Sequence, residues 1–215
     1  MKQRQQPPAG APDAPPVAAT VFKDRLGTAV AYADLLATAG VERGLIGPRE
    51  VAILWERHLL NSAAVADAIP VGAAVLDVGS GAGLPGIPLA LARPDLRVTL
   101  VEPLLRRATF LTEVGHELAM DNVEVLRSRA EDLPRGQGEV IVARAVAPLS
   151  RLLPWTLPAL RAGGLLVAMK GTAAEQEITA ARATLEQLGA RRWEVRTLTA
   201  GAGLEATRAV VVVAG

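Results

Sequence analysis

The sequence predicts an α/β fold: one mostly parallel sheet of seven strands with an antiparallel last strand, behind a helical N-terminal cap. Three observations carry that expectation. From Ala73 onward, short apolar runs alternate with segments of helical period, the pattern of a parallel sheet covered on both faces. The last two apolar runs are separated only by Ala200-Gly-Ala-Gly-Leu204, too short a link for a parallel crossover, so the final strand must reverse. Finally, the run Val75-Leu-Asp-Val78 ends directly in Gly79-Ser-Gly-Ala-Gly83, followed by a helix start and a second strand that closes on Glu102. Strand, glycine turn, helix, strand, acid is the arrangement that holds nucleotide-like ligands.

The elements follow in order. Residues 1–16 are rich in Pro, Gln and Ala and are expected to be a disordered leader. Residues 17–70 read as helical. Phe22, Leu26, Val30 and Ala33 form one stripe, and Val51, Leu54, Trp55, His58, Leu59 and Ser62 form another, with breaks at Gly44 and Gly47-Pro48. Residues 71–215 are the sheet domain. Its strands are expected at 73–78, 97–102, 123–127, 140–143, 164–170, 192–198 and 206–214. Its helices are expected at 84–93, 104–119, 149–161 and 172–188, the first tolerating prolines in its opening turn.

Composition bounds the function. At 215 residues the chain is one domain or a core with an appendage, and 50% hydrophobic residues against 21% charged argue against disorder. No apolar run approaches the roughly 18–20 residues of a membrane span, so no membrane partner is expected. The N-terminus lacks an apolar signal core, which predicts a cytoplasmic chain. A monomer with no metal is expected. A net charge of +1 excludes a globally basic nucleic-acid coat. Yet only three of the 23 basic residues are lysine, leaving 20 arginines, the residue suited to phosphate forks and base stacking. A GC-rich genome would produce the same bias.

Two classes of nucleoside-binding fold share the glycine turn. Gly81-Ala-Gly-Leu-Pro-Gly86 fits G-x-G-x-x-G, with Glu102 about twenty residues on, as in nicotinamide enzymes. The longer match is Asp77-x-Gly79-x-Gly81-x-Gly83, which resembles the D-x-G-x-G-x-G turn of S-adenosylmethionine-dependent methyltransferases. A diphosphate has no use for an anion at Asp77, whereas a cationic sulfonium and ammonium ligand does. Glu102 is placed to take both ribose hydroxyls. Absent chemistry narrows the choice. A short-chain dehydrogenase needs Tyr-x-x-x-Lys, but the sole tyrosine, Tyr32, lies ahead of the nucleotide fold, and Leu36 stands where the lysine would be. Zero cysteines remove thiolate-dependent methylation of pyrimidine C-5 and any iron–sulfur radical route. No Asn/Asp-Pro-Pro-aromatic segment exists for exocyclic amines. Transfer to an atom that is already nucleophilic survives.

Five segments then carry a specific resemblance: His58-Leu-Leu-Asn-Ser62, the run from Leu76 to Ala90, Ser128-Arg-Ala-Glu131, Ala143-Arg-Ala-Val-Ala-Pro148 and Met169-Lys-Gly171. In this order they resemble the glucose-inhibited division protein B family, over roughly residues 20 to 215. The resemblance implies a class I, Rossmann-like methyltransferase that transfers methyl from S-adenosylmethionine to N-7 of guanine 527 in 16S rRNA of the small ribosomal subunit, releasing S-adenosylhomocysteine. It carries cofactor contacts to Gly79, Leu84, Ala130, Glu131 and Arg144. Asn61 departs from the family, which often has aspartate there.

The residues themselves agree with that chemistry. Guanine N-7 has a lone pair and no proton, so no general base is required; orientation alone can supply about 7–11 kcal/mol of the barrier. Arg144 and Lys170 end strands at the carboxyl edge, where open sheets bind ligands, and are expected to position the reactants. Each has a plainer alternative as a salt bridge closing the sheet. Ala130 and Glu131 follow the third strand, placed to meet the adenine edge. Arg106, Arg107, Arg127 and Arg129 form an expected RNA patch, with His58, Asn61 and Ser62, and Arg49 and Arg57, contributed by the cap. Solvated helix charges and a core histidine are the alternatives. His116, Trp155 and Trp193 are given no role. Two other functions stay open at this point: a methyltransferase for a small molecule or protein with the cap as a lid, and a silent module that keeps the cofactor fold.

Overall fold

The computed structural model describes residues 10–201 and 204–215. Seven strands form one sheet: β1 (Ala74–Val78), β2 (Arg97–Val101), β3 (Val123–Leu126), β4 (Gly138–Arg144), β5 (Leu160–Met169), β6 (Arg192–Leu198) and β7 (Thr207–Val213). Their order is β3-β2-β1-β4-β5-β7-β6. β1 pairs in parallel with β2 and β4, and only β7 runs opposite, slotted antiparallel between β5 and β6. The predicted reversal of the last strand therefore holds. The chain leaves β1 in both directions across the sheet, and the crevice at such a switch point is where open α/β sheets bind ligands.

Alternation along β4 shows the two layers. Val140 and Val142 face a core shared with α4 (Gly86–Ala92), α5 (Leu105–Glu117) and the N-terminal segment. Ile141 and Ala143 face a second core with α6 (Leu149–Thr156) and α7 (Ala174–Gln187). All four are essentially inaccessible, as a central strand covered on both faces should be. The N-terminal segment, with α1 (Pro16–Phe22), α2 (Leu26–Leu35), the short α3 (Asn61–Ala63) and the turns around them, belongs to the first core through Phe22, Tyr32, Leu36, Leu54, Leu59 and Val65. The cap is thus built into one layer of the fold.

Several expectations need correction. Residues 1–9 of the anticipated leader lie outside the described residues, but residues 10–16 are tied down. Ala11 N donates to Asp34 Oδ1 at 2.9 Å, Trp55 Nε1 donates to Pro12 O at 2.7 Å, and Pro16 opens α1. Proline-rich composition was outweighed by the polar partners the cap offers. The helix expected from residue 84 starts at Gly86, after a cis Leu84–Pro85 bond. The helix expected over 149–161 stops at Thr156, where Pro158 cannot continue the ladder, and β5 begins four residues earlier than expected, at Leu160. Gly163 and Gly164 lie inside β5. A Cβ on Gly164 would meet backbone carbonyls at 2.9 Å, so the strand bulges against β4 only because that residue is glycine.

Candidate cofactor and acceptor site

The glycine turn is held from below by main-chain hydrogen bonds and buried side chains. Asp77, at the end of β1, is fully buried; Oδ2 accepts from Gly86 N at 3.0 Å, while Oδ1 has no partner. Burial pushes its carboxyl up to about 7, against the pull of the Gly86 N–H. This corrects the expectation that Asp77 faces a cationic ligand: it braces the helix start beneath the turn. Ser80 Oγ donates to Asp77 O at 2.7 Å, and Tyr32 from α2 donates its hydroxyl to Ala82 O at 2.8 Å.

The three glycines do different work. A Cβ on Gly79 would lie 2.8 Å from Val146, and one on Gly83 would overlap Ile87 and lie 2.9 Å from Tyr32 Oη. Those two positions are bare so that protein can pack there. Gly81 differs: at φ +60° its Cβ would meet nothing nearer than Gly79 O at 3.8 Å. That face of the turn is open.

Glu102 follows β2 on the same edge, 1% exposed. Its Oε2 accepts from Gly81 N and its Oε1 from Leu104 N, both at 3.0 Å, and Arg107 Nη1 lies 3.8 Å away. The acid is where the sequence places it, but its carboxylate also staples the turn to the next loop. Ala130 and Glu131 sit in a short turn after β3, Ala130 half-buried and Glu131 exposed. Arg106, Arg127 and Arg129 are exposed around this edge, and Arg107 is half-buried with its Nε unpartnered.

Beside the turn a cleft of about 1290 Å³ opens over β4, β5 and β7, walled by the cap on one side and the β6–β7 hairpin on the other. Arg144, Lys170, Asn61 and Arg57 line it. Arg144 does not close a salt bridge. Its Nη1 donates to Ser62 Oγ at 2.7 Å and His58 O at 3.3 Å, and its Nη2 donates to Arg57 O at 2.9 Å and His58 Nδ1 at 3.1 Å. His58 Nε2 in turn lies 2.8 Å from Glu50 Oε2. His58 and Ser62, expected at an RNA surface, are instead buried behind Arg144, while Asn61 and Arg57 line the cleft. Lys170 keeps its plainer role. It donates to Ala147 O and pairs with Glu177 Oε2 at 2.9 Å, which also accepts from Leu149 N at 2.5 Å, tying the loop after β4 to α7.

Comparison with known proteins settles what this edge belongs to. The family model of GidB, rRNA small subunit methyltransferase G, matches residues 25–206. The chain belongs to this family. It is 55% identical over 205 residues to the ribosomal RNA small subunit methyltransferase G of Streptomyces coelicolor, covering 94% of this chain and 84% of that protein. It is 50% identical over 220 residues to the protein of that name in Mycolicibacterium paratuberculosis, covering 96% and 88%. Among solved structures, a SAM-dependent methyltransferase from Aquifex aeolicus superposes with TM-score 0.56 at 18% identity, covering 82% of this chain and 98% of that one. TYW2 of M. jannaschii in complex with AdoMet gives TM-score 0.57 at 19% identity, covering 75% and 77%. The fold is the Rossmann-like methyltransferase fold, as the seven-stranded sheet predicted.

Within this rRNA methyltransferase family fold, sequence reasoning missed several contributors. Tyr32 carries no local signal, because its partner Ala82 is 50 residues away; Glu50 lies only eight residues from His58, but the irregular turns between them follow no single helical period. Ala145 adopts φ +54°, a conformation that costs a non-glycine residue about 1–2 kcal/mol, and this bend turns Val146 onto Gly79. Leu104, Leu105 and Leu126 are exposed at 52%, 59% and 41%, an apolar patch among the rim arginines. No local pattern betrays any of these. Among the described residues no group of acids and histidines suits a metal, and no helix is long and apolar enough to cross a membrane.

Proposed function

We propose that this chain methylates N-7 of guanine 527 in 16S rRNA of the small ribosomal subunit, acting in the cytoplasm as a monomer with S-adenosylmethionine as donor. When bound, that cofactor supplies an electrophilic methyl group on a sulfonium. The open face of Gly81 and the carboxylate of Glu102 would hold its nucleoside end, with Ala130 and Glu131 at the adenine and Leu84 at the turn.

The observation that carries the reading is the state of Arg144, Lys170 and His58; of the acids lining the cleft, Glu177 is paired with Lys170, while Glu56 and Glu205 are exposed. Arg144 is bound to cap acceptors, Lys170 to Glu177 and Ala147 O, and His58 to Glu50 and Arg144. None is free to remove a proton. An acceptor that must lose a proton before attack finds no base among them, whereas guanine N-7 attacks with a lone pair it already has. The protein's task is then to exclude water and hold acceptor and methyl in line. Sequence-specific RNA recognition favours loops whose bases can be splayed out of the stack. The rim supports this, with Arg106, Arg127 and Arg129 for phosphates and Leu104, Leu105 and Leu126 for base faces.

N-7 methylation leaves a fixed positive charge and a labile glycosidic bond, so borohydride–aniline treatment cleaves RNA at that base. Cleavage at guanine 527 should vanish in cells lacking this protein and return when undermethylated subunits are incubated with the purified chain. Equal cleavage without the protein, or a methyl mapped to another atom, would refute the assignment. The lid alternative loses ground because the cap is part of the core instead of lying over a closed pocket.

A further inference from the structure

Arg144 is a cation held by neutral groups. Of the five N–H donors a guanidinium carries, four go to Ser62 Oγ, His58 O, Arg57 O and His58 Nδ1. Among the described residues no carboxylate lies within ion-pair distance of it. Three of these acceptors are unconditional. The fourth is not: Nδ1 accepts only in the imidazole tautomer that carries its proton on Nε2. Glu50 selects that tautomer, because a carboxylate 2.8 Å from Nε2 can only accept. A directed chain therefore runs from Glu50 through His58 to Arg144, each link donating toward the acid.

We propose that Glu50 and His58 are positioning residues that fix Arg144 at the junction of the glycine turn and the cleft, in the orientation that receives the carboxylate end of the methyl donor. The proposal rests on the methyl-transfer reading and adds to it a residue, Glu50, with no contact to the turn. The junction is real: Arg144 lines the cleft, while the loop it opens packs Val146 onto Gly79. The charges facing His58 agree with a neutral ring. Burial, Arg144 and Arg57 push it below its ordinary 6.5, and Glu50 alone pulls the other way. Protonating Nδ1 would remove an acceptor from Arg144 and set two cations side by side.

The test is a double-mutant cycle read by calorimetry with S-adenosylhomocysteine as the probe. Glu50→Ala should weaken binding about fivefold in the wild-type background and less than about twofold on top of Arg144→Ala, the sign of two residues acting through one contact. Glu50→Gln still accepts from Nε2 and should restore most of the affinity. The acid limb of methyl transfer gives an independent readout. It should fall with a midpoint below 6.5 in the wild type, move lower in Glu50→Ala, and flatten in His58→Asn, whose amide oxygen stands in for Nδ1. Additive losses, equal losses in Glu50→Ala and Glu50→Gln, or an acid limb that no variant moves would overturn the relay. Should Glu50→Ala fail to fold, Glu50→Gln and His58→Asn still decide by their pH profiles. A wild-type protein that binds the probe but methylates no RNA would sink the RNA reading and leave the cycle intact. One that does not bind the probe sinks both.

Discussion

The two halves of the ligand edge are built in opposite ways. At β1 and β2 the chain offers main chain: a turn gripped by Asp77 and Glu102 through Gly86 N, Gly81 N and Leu104 N, and by Tyr32 through Ala82 O. Almost nothing there has a rotamer to choose. Over β4, β5 and β7 the cleft is walled by long side chains, Arg57, Arg144, Lys170 and Arg208. Three of these are held across elements: Arg144 by the cap, Lys170 by α7 and Arg208 by Glu175. The first half is preorganised by backbone geometry. The second is only as well ordered as the docking of the elements around it.

Breaking the backbone half should have the largest effect. Gly81→Val places a branched side chain at φ +60° and fills the open face of the turn. Calorimetry should show S-adenosylhomocysteine binding abolished, while circular dichroism reports a folded protein. Normal binding would reduce Gly81 to turn punctuation. Glu102→Ala comes next. It leaves Gly81 N and Leu104 N without their acceptor, at roughly 1–3 kcal/mol for each buried group, and removes the carboxylate proposed to take the ribose. Cofactor affinity should fall about ten- to hundredfold, at about 1.4 kcal/mol for each factor of ten. An unchanged constant would detach Glu102 from the site.

A third experiment sharpens the contrast through pH. The folded carboxyl of Asp77 sits at about 7, above its ordinary 3.8, because of burial. The native state therefore holds the proton more tightly than the unfolded chain. The stabilisation is fully present below pH 3.8 and is lost as pH rises through about 7. Asp77→Asn should flatten the fall of Tm across that window; parallel slopes in both proteins would place the titration elsewhere. The smallest effect belongs to the exposed rim after β3. Replacing Arg127 and Arg129 by alanine should lower the salt dependence of RNA binding by about 0.7 log unit for each phosphate that these guanidinium groups neutralise. A slope that does not change would remove the rim from the RNA interface.

What the sequence made legible follows the same division. Backbone devices leave local signatures, so the glycines, Asp77, Glu102 and the reversal of β7 could be read from spacing and link length alone. Even there the role of Asp77 was misplaced, since a motif shows which acid is present and not which way it points. Arg144 was legible as a residue at a strand end, but its partners lie more than 80 residues away, on the cap. Tyr32 emerges only when the chain is folded, because its partner Ala82 is 50 residues away, and Glu50 because irregular turns bring it onto His58 eight residues on. The long β5 was hidden by Gly163 and by the helix expected through residue 161, and a close backbone approach at Gly164, read as the strand's first residue, explains the glycine pair.

Because β1, β2 and β3 follow one another on one side of the switch point, and β4 to β7 lie on the other, the turn half and the cleft half are also two consecutive stretches of coding sequence. The segment that joins them, residues 127–137, is mostly exposed and contains no strand. A recombination joint placed there would cut through no ladder. An exchange there would keep the glycine turn and Glu102 upstream and replace the cleft, but it would replace Arg144 as well. The cap, encoded ahead of both, touches each through a different residue, Tyr32 on the turn and Ser62 on Arg144. It is the segment whose inheritance any such exchange would have to respect.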